Sequence, residues 1–212
     1  MVNLEKTRAA LEKNGITTSY VAHRNEVVAQ LKTMIRPTDV VSHGGSVTLK
    51  ECGVRDFLTS GYCKYLDRSV PGLTREQIME VYRASFSADV YLTSSNAVTE
   101  RGELYNVDGN SNRIAAIAFG PSRVIMVVGI NKIVPDLDAA IRRVKTIAAP
   151  KNTQRLSCKT YCEAAGKCAG LDGDLCAGCA SDARICCNYL VSAKQREPGR
   201  IHVIFVGEEL GY

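Results

Sequence analysis

The sequence predicts a three-layer α/β fold, in which helices cover both faces of a largely parallel sheet. Strand-like and helix-like patterns alternate over most of the 212 residues, which is typical of this class. The segment Arg123–Gly129, RVIMVVG, is apolar on both faces, as expected of a central parallel strand. Hydrophobic residues make up 45% of the chain, enough to build a substantial core. The simplest organisation is one domain over residues 1–212.

The first half of the chain is divided by recognisable helix signals. Asn3 is suited to cap a first helix and Gly15 to end it, and Pro37 follows the second helical pattern. Thr74-Arg-Glu-Gln77 has the form of a capping box and begins another helix. We therefore expect four helices, at 3–14, at 25–34, from the glycine pair 44–45 through 57, and at 75–85. Strands are expected at 16–22, 39–42, 63–66 and 88–93.

The second half continues the alternation. Residues 97–105 predict a hairpin around Arg101-Gly102, and 112–119 a short helix ended by Gly120-Pro121. A helix is expected at 136–148, because an apolar stripe recurs at helical spacing. The stripe comprises Leu137, Ile141, Val144 and Ile147. Residues 201–207, IHVIFVG, supply the last predicted strand.

The charge distribution bears on partners and location. The net charge is +5, but lysines and arginines are scattered and no basic run carries interleaved aromatics, which argues against nucleic-acid binding. The first fifteen residues form a charged amphipathic pattern and do not resemble a secretion signal. No apolar run reaches the roughly 20 residues that a membrane-spanning helix needs. We expect a soluble, cytoplasmic protein without a membrane span.

Two polar stretches are candidate ligand sites. His43-Gly-Gly-Ser-Val-Thr48 follows a predicted strand and precedes a helix, so its backbone can turn tightly beside a ligand. Thr93–Arg113 concentrates amide, hydroxyl and carboxylate side chains within Ala88–Val134. Each stretch has a simpler interpretation: an ordinary strand-to-helix turn with a serine cap in the first, and turn and capping chemistry in the second.

Seven of the nine cysteines lie between Cys158 and Cys187. Without a secretion signal, such clustering favours metal or redox chemistry over structural disulfides. Cys176-Ala-Gly-Cys179 is a CxxC pair that one turn can direct toward one metal. Zinc, an iron–sulfur cluster and free or disulfide-forming thiols all remain open at this point. The two isolated cysteines, Cys52 and Cys63, are expected to be buried core residues.

The segment TSSNAVTERGELYNVDGNSNRIAAIAFGPSRVIMVVGINKIV, residues 93–134, resembles the signature of the LUD domain, the lactate-utilisation family that includes LutC and YkgG proteins. Support comes from Gly44–Thr48 upstream, the cysteine-rich segment, and RIHVIFVGEELG at 200–211, so the resemblance covers nearly the whole chain. It implies a fold like that of NagB, ribose-phosphate isomerase (RpiA) and CoA transferases. The cysteine segment, about 156–188, is then an insertion before the last strand.

The resemblance also implies a function: oxidation of L-lactate or a related hydroxy acid, with iron–sulfur partner subunits. A subset of the family carries its own cysteine cluster, and its pattern fits Cys162, Cys176, Cys179 and Cys186, with Cys168 as the alternative to Cys176. In this context a 4Fe–4S cluster is favoured over zinc. The Gly- and Asp-rich AGLDGDL, 169–175, is interpreted as a surface insertion.

Roles can be assigned to the polar residues on this basis. Glu100 and Asp108 are the candidates for proton transfer. Arg113 or Lys132 can balance a substrate carboxylate or phosphate. The candidate ligand-binding set is Gly44, Gly45, Ser46, Thr48, Asn96, Thr99, Asn110, Asn112, Arg113 and Lys132. Of the histidines, only His43 is expected near a ligand.

Two other functions stay open, as does association with further copies of the chain. One is an isomerase or transferase acting on a phosphorylated or carboxylated small molecule. The other is a non-catalytic scaffold subunit in which zinc pins the cysteine segment.

Overall fold

A six-stranded, all-parallel sheet forms the centre of the protein in the computed structural model, which describes residues 3–212. The strands, in chain order, are β1 (Thr17–Val21), β2 (Val40–His43), β3 (Lys64–Tyr65), β4 (Val90–Thr93), β5 (Ala97–Thr99), β6 (Leu104–Asp108), β7 (Arg123–Gly129), β8 (Ile133–Val134), β9 (Asn188–Ser192) and β10 (Ile201–Val206). The central sheet has the order β1-β10-β7-β4-β2-β3.

Helices follow half of the strands, and one helix precedes the first strand. They are α1 (Leu4–Lys13), α2 (Val27–Met34), α3 (Val47–Glu51), α4 (Val54–Thr59), α5 (Arg75–Ala84), α6 (Asn112–Ala118), α7 (Leu137–Arg143), α8 (Ala149–Leu156) and α9 (Tyr161–Ala165). The predicted caps are present: Asn3 Oδ1 accepts from Lys6 N, and Thr74 and Gln77 form the reciprocal capping box. Within residues 3–212, no helix combines the length and the apolar character needed to span a bilayer.

Strand β7 shows why the sheet is covered on both sides. Ile125 and Val127 point into a core that contains Leu31 and Phe57, from α2 and α4. Val124, Met126 and Val128 point into a second core shared with α1 and α6. An apolar strand with both faces buried requires helices on both sides, and the predicted three-layer α/β fold is confirmed.

A second, four-stranded sheet, ordered β8-β5-β6-β9, lies beside the first. The predicted hairpin forms its centre, where Ala97 pairs with Tyr105. The flanking strands were not predicted: β8 has two residues, and β9 directly follows the cysteine segment. Tyr105 and Ala97 pack against α7, α8 and the turn between them.

The predicted helix at 136–148 is longer and less regular than expected. A π-helical turn, Val144–Ala148, joins α7 to α8, so the helical path extends to Leu156. The wider π turn rotates the buried face by one position. Ile147, predicted in the apolar stripe, is therefore exposed, whereas the neighbouring Lys145 and Ala148 are buried.

The carboxyl ends of β2, β4 and β7 lie at one edge of the central sheet, since neighbouring strands in this part of the sheet are parallel. β2 leads into Gly44-Gly45, β4 into Ser94–Asn96, and β7 into the turn that carries Lys132. This edge is where ligands bind in open α/β sheets.

Candidate functional site

A polar cavity of about 110 Å³ lies at the carboxyl edge of β2, β4 and β7. Seven of the residues predicted from sequence line it: Gly45, Ser46, Thr48, Asn96, Asp108, Arg113 and Lys132. The glycine-pair turn and the polar centre, which are about fifty residues apart in sequence, therefore meet at a single site. We call this site the polar cavity.

Lys132 lies at the wall of the polar cavity with 3% of its surface exposed. Its Nζ is 2.8 Å from Thr48 Oγ1 and 3.0 Å from Ser94 Oγ. Burial, with smaller contributions from Arg143 and Arg113, lowers the Lys132 pKa to about 7. Among residues 3–212 no carboxylate forms an ion pair with it. At neutral pH, the Lys132 amine is therefore uncharged in a large share of the molecules.

Arg113 is held by the protein itself. Its Nη1 donates to Ser94 O and Asn106 Oδ1, and its Nη2 donates to Asn96 Oδ1 and Val107 O, over 2.6–3.2 Å. Four of its five N–H donors are thereby occupied. The guanidinium is paired with the Asp108 carboxylate, whose Oδ1 lies 3.5 Å from its Nε, and it ties β6 to the end of β4.

Asp108 lines a candidate ligand site and also caps a helix, which are the two interpretations of the polar stretch 93–113. It lines the polar cavity. Its Oδ2 also accepts hydrogen bonds from the backbone N–H groups of Arg113 and Ile114, at 2.9 and 3.1 Å, so it caps the start of α6. The capping interpretation therefore holds for this side chain, and its proton-transfer role stays a prediction.

The remaining predicted residues lie around or away from the polar cavity. Gly44 lies against Arg113, where an added Cβ would be 2.9 Å from the Arg113 side chain. Asn110 and Asn112 line an adjoining outer groove together with Arg155 and Arg184. Thr99 is buried in β5, where its Oγ1 bonds the Glu103 carboxylate.

Glu100, the other carboxylate predicted to act in proton transfer, lies at the N-terminus of α1. It accepts from Asn3 N at 2.6 Å and Lys6 Nζ at 2.8 Å. The Lys6 hydrogen bond, followed by that from Asn3, lowers the Glu100 pKa. His43 is partly buried, stacks on Tyr65, and is not part of the lining of the polar cavity. Burial is the main factor that lowers its pKa.

Sequence reasoning missed several residues of the polar cavity. Ser94 and Ser95 directly follow β4 and belong to the same polar stretch, 93–113, from which Asn96 was selected. Four others come from the π turn, α8 and the C-terminus, which no local pattern connects to the glycine turn. They are Ala148, Asn152, Arg155 and Tyr212.

A second cavity, here the cysteine cavity, lies between the second sheet, α8 and the cysteine segment. Four thiols line it: Cys162, Cys168, Cys179 and Cys186. The rest of its wall is largely apolar and includes Tyr105, Val144 and Ala149. Cys176 and Cys187 are exposed and do not belong to the lining. Cys52 and Cys63 are buried in the core, as predicted.

The thiols of this cavity influence one another. Burial, and then the proximity of Cys162, Cys168 and Cys179, raises the Cys186 pKa to about 12. Cys162 Sγ lies 3.5 Å from Thr153 Oγ1 and 3.4 Å from Thr160 Oγ1. Gly170 N donates to Cys168 Sγ at 3.4 Å. Deprotonating Cys186 at neutral pH would require a positive charge bound beside it. Within residues 3–212 no three His, Cys, Asp or Glu side chains converge closely enough to hold a single ion.

Two cations hold the backbone of the cysteine segment. Arg184 donates to the carbonyl oxygens of Cys176, Cys179 and Cys186, at 2.8, 3.2 and 2.9 Å. The buried Lys145, from the π turn, donates to the carbonyls of Gly170, Gly173 and Asp174, at 2.6, 3.1 and 2.6 Å. The stretch 169–175, predicted as a surface insertion, is thus anchored to the domain.

Lys145→Met should loosen the loop between Cys168 and Cys176, because three carbonyl oxygens lose a charged donor. We expect the free energy of unfolding to fall by about 2–3 kcal/mol, given the strength of hydrogen bonds to charged groups. Hydrogen exchange should accelerate in 168–179. Lys151→Met, at an exposed position of α8, is the matched control. Unchanged exchange in 168–179 would show that the loop does not depend on Lys145.

One helical path separates the two cavities. Ala149 and Thr153 face the cysteine cavity, and Ala148 and Asn152 face the polar cavity. Arg184 and Ile185 line both the cysteine cavity and the outer groove. A group bound in either cavity would therefore lie one helix away from the other.

Comparisons with known proteins agree with this architecture. The chain superposes on a crystal structure described as a DUF162 family protein from Deinococcus radiodurans, with a TM-score of 0.50 and 15% sequence identity. The match covers 96% of this chain and 94% of that chain, and it supports the fold. No curated protein sequence matches. The model of the LUD domain matches residues 4–206, nearly the whole chain. This protein therefore belongs to the LUD domain family, whose members are associated with lactate utilisation.

Proposed function

We propose that this protein takes part in the oxidation of L-lactate or a related 2-hydroxy acid and carries a 4Fe–4S cluster in the cysteine cavity. The observation that carries the proposal is the meeting of Cys162, Cys168, Cys179 and Cys186 around one cavity, one helix away from a polar, small-molecule-sized cavity. The family's association with lactate utilisation supports the choice of substrate class.

The type and the number of the donors suit a cluster, although no three of them converge on a single-ion site among residues 3–212. Four thiolates are the usual ligands of a 4Fe–4S cluster. Here four thiols surround a space, and the largely apolar wall would keep water from the iron. The Gly170 N–H directed at Cys168 Sγ and the nearby Arg184 would both offset the negative charge of the ligated sulfurs. The lining favours Cys168 over Cys176 as the fourth ligand.

The polar cavity fits a small anion. Arg113 and Arg155 line it and Arg143 lies behind Lys132, whereas Asp108 is the one acidic side chain in the lining. Asn96, Asn152 and the Ser94–Ser95 hydroxyls can orient hydroxyl and carboxylate oxygens. Oxidation of a hydroxy acid releases two electrons, and a bound cluster would pass electrons singly toward an acceptor. Iron–sulfur partner subunits would supply that acceptor.

Metal content decides between the proposed cofactors. Protein purified without oxygen is expected to be brown, to absorb near 400 nm, and to contain about four iron and four sulfide ions per chain, the composition of a 4Fe–4S cluster. The iron, sulfide and zinc contents per chain are measured, and the absorbance spectrum of the same sample is recorded. Colourless protein with one zinc per chain would instead favour the scaffold function.

The polar cavity also supports a second candidate, an isomerase or transferase acting on a phosphorylated or carboxylated small molecule. This candidate function is supported by Asp108 and the buried Lys132, which line the same polar cavity. Turnover of such a substrate by protein whose cysteines are intact but metal-free would favour this function. Loss of that turnover in Glu100→Gln would extend the active site to Glu100.

A further inference from the structure

Lys132 is hydrogen-bonded as a neutral amine would be. Thr48 Oγ1 can donate to Leu210 O at 3.3 Å, and Ser94 Oγ can donate to Ser95 O at 3.5 Å. Both hydroxyl oxygens are therefore left to accept from Lys132 Nζ. A neutral amine has two N–H donors and one lone pair, and these two contacts satisfy both donors.

An ammonium group would need a third acceptor, and residues 3–212 provide none to this Nζ. Arg113 and Arg143 also oppose a positive charge at this position. The lone pair thus has no partner within the described protein, and the side chain lines the polar cavity. A desolvated lysine beside other cations is the arrangement that makes an amine nucleophilic at neutral pH.

The surroundings of the amine select the ligand. A carbonyl carbon is the electrophile with which a primary amine reacts reversibly, and Arg155 in the cavity lining favours an anion on the same molecule. The cavity volume of about 110 Å³ suits a small acid. A 2-oxo carboxylic acid has the carbonyl and the carboxylate on adjacent carbons.

We propose that Lys132 forms a Schiff base with a 2-oxo acid in the polar cavity. The Nζ lone pair adds to the ketone carbon, and the carbinolamine then loses water, whose two hydrogens come from the amine. A C=N bond replaces the C=O bond with no net oxidation or reduction. This inference rests on the proposed function only for the ligand class, because a 2-oxo acid is the product of 2-hydroxy-acid oxidation.

The test is reductive trapping on the intact protein. Pyruvate and cyanoborohydride are added, and the modified lysine is located by peptide mass spectrometry. Cyanoborohydride delivers hydride to the imine carbon and leaves a stable secondary amine. We expect one principal adduct, on Lys132, at least tenfold more abundant than on any surface lysine. At pH 7 its neutral fraction exceeds that of an ordinary lysine by about a thousandfold.

The pH dependence provides a second readout. Labelling of Lys132 should rise between about pH 6 and 8, because the amine must lose its proton to react, whereas ordinary lysines deprotonate near about 10.4. Lys132→Met should lose the adduct, and Lys50→Met, at an exposed position on α3, should retain it. If Lys132→Met fails to fold, peptide mapping and the pH profile of the natural protein still decide.

Two further ketones test which ligand class the polar cavity prefers. Acetone tests whether the anion matters, and dihydroxyacetone phosphate tests a phosphorylated ketone. Equal trapping of acetone and pyruvate, preferential trapping of the phosphate, or labelling confined to surface lysines would each overturn the proposal. Metal analysis of the same sample distinguishes the two proposals: an adduct on cluster-free protein would contradict the proposed cofactor alone, and a cluster without an adduct would contradict the Schiff base alone.

Discussion

Replacing Cys186 by serine is expected to remove all, or nearly all, of the iron and sulfide from anaerobically purified protein, whereas replacing Cys187 should leave both unchanged. The two residues are adjacent in sequence, but Cys186 lines the cysteine cavity and Cys187 is exposed, with its Sγ–H directed to Arg184 O at 3.2 Å. Losing one of four thiolate ligands leaves a cluster incompletely coordinated. Iron and sulfide analysis with the absorbance near 400 nm is the measurement.

The fourth ligand can be identified by a second pair of variants. Cys168→Ser should lose the cluster as Cys186→Ser does, and the exposed Cys176→Ser should keep it. The circular dichroism of all four variants should match that of the natural protein, which shows that the loss is local. The reverse result would restore Cys176, the ligand favoured by the sequence pattern. Equal iron in all four variants would contradict a cluster in this cavity.

Arg113→Met should lower the free energy of unfolding by about 3–5 kcal/mol, the range found when one partner of a buried charged network is removed. The residue is 8% exposed, and loss of its side chain leaves the amide oxygens of Asn96 and Asn106 and two backbone carbonyls without their donor. Each unsatisfied buried acceptor is costly. Urea unfolding followed by circular dichroism measures the effect.

Arg142→Met is the matched control for Arg113, because Arg142 is exposed on α7. We expect it to change stability by no more than about 0.5 kcal/mol, as is usual for exposed positions. A natural-like stability for Arg113→Met would contradict the structural role. If ligand binding then fell sharply, Arg113 would instead be the substrate-binding arginine that the sequence suggested.

Local sequence signals account for most of the secondary structure. The caps at Asn3 and Thr74, the apolar run of β7 and the glycine-containing hairpin turn act over a few residues, so their consequences can be predicted from neighbours in the sequence. The elements that were missed depend on distant partners. The strand β9 has little burial pattern of its own and is defined by its pairing with β6, whose residues lie 80 to 88 positions away in sequence.

The π turn is a similar case. The spacing of Val144 and Ile147 is consistent with a regular helix, and only the packing around Lys145 reveals the extra residue in the turn. Lys145 reaches three carbonyls of the cysteine segment, and Ile147 is exposed as a result. The free energy gained by satisfying those buried groups is a tertiary contribution, absent from the periodicity of the helix.

By itself, the sequence determined the fold class, the family and the segment that carries the cysteines, because these follow from local patterns and a long continuous motif. Tertiary structure decided which groups meet. It directs Cys168 rather than Cys176 into the cysteine cavity, carries Glu100 to α1, and surrounds Lys132 with hydroxyls and arginines. Residue type sets what a side chain can do, but protonation and coordination depend on burial and on neighbours distant in sequence.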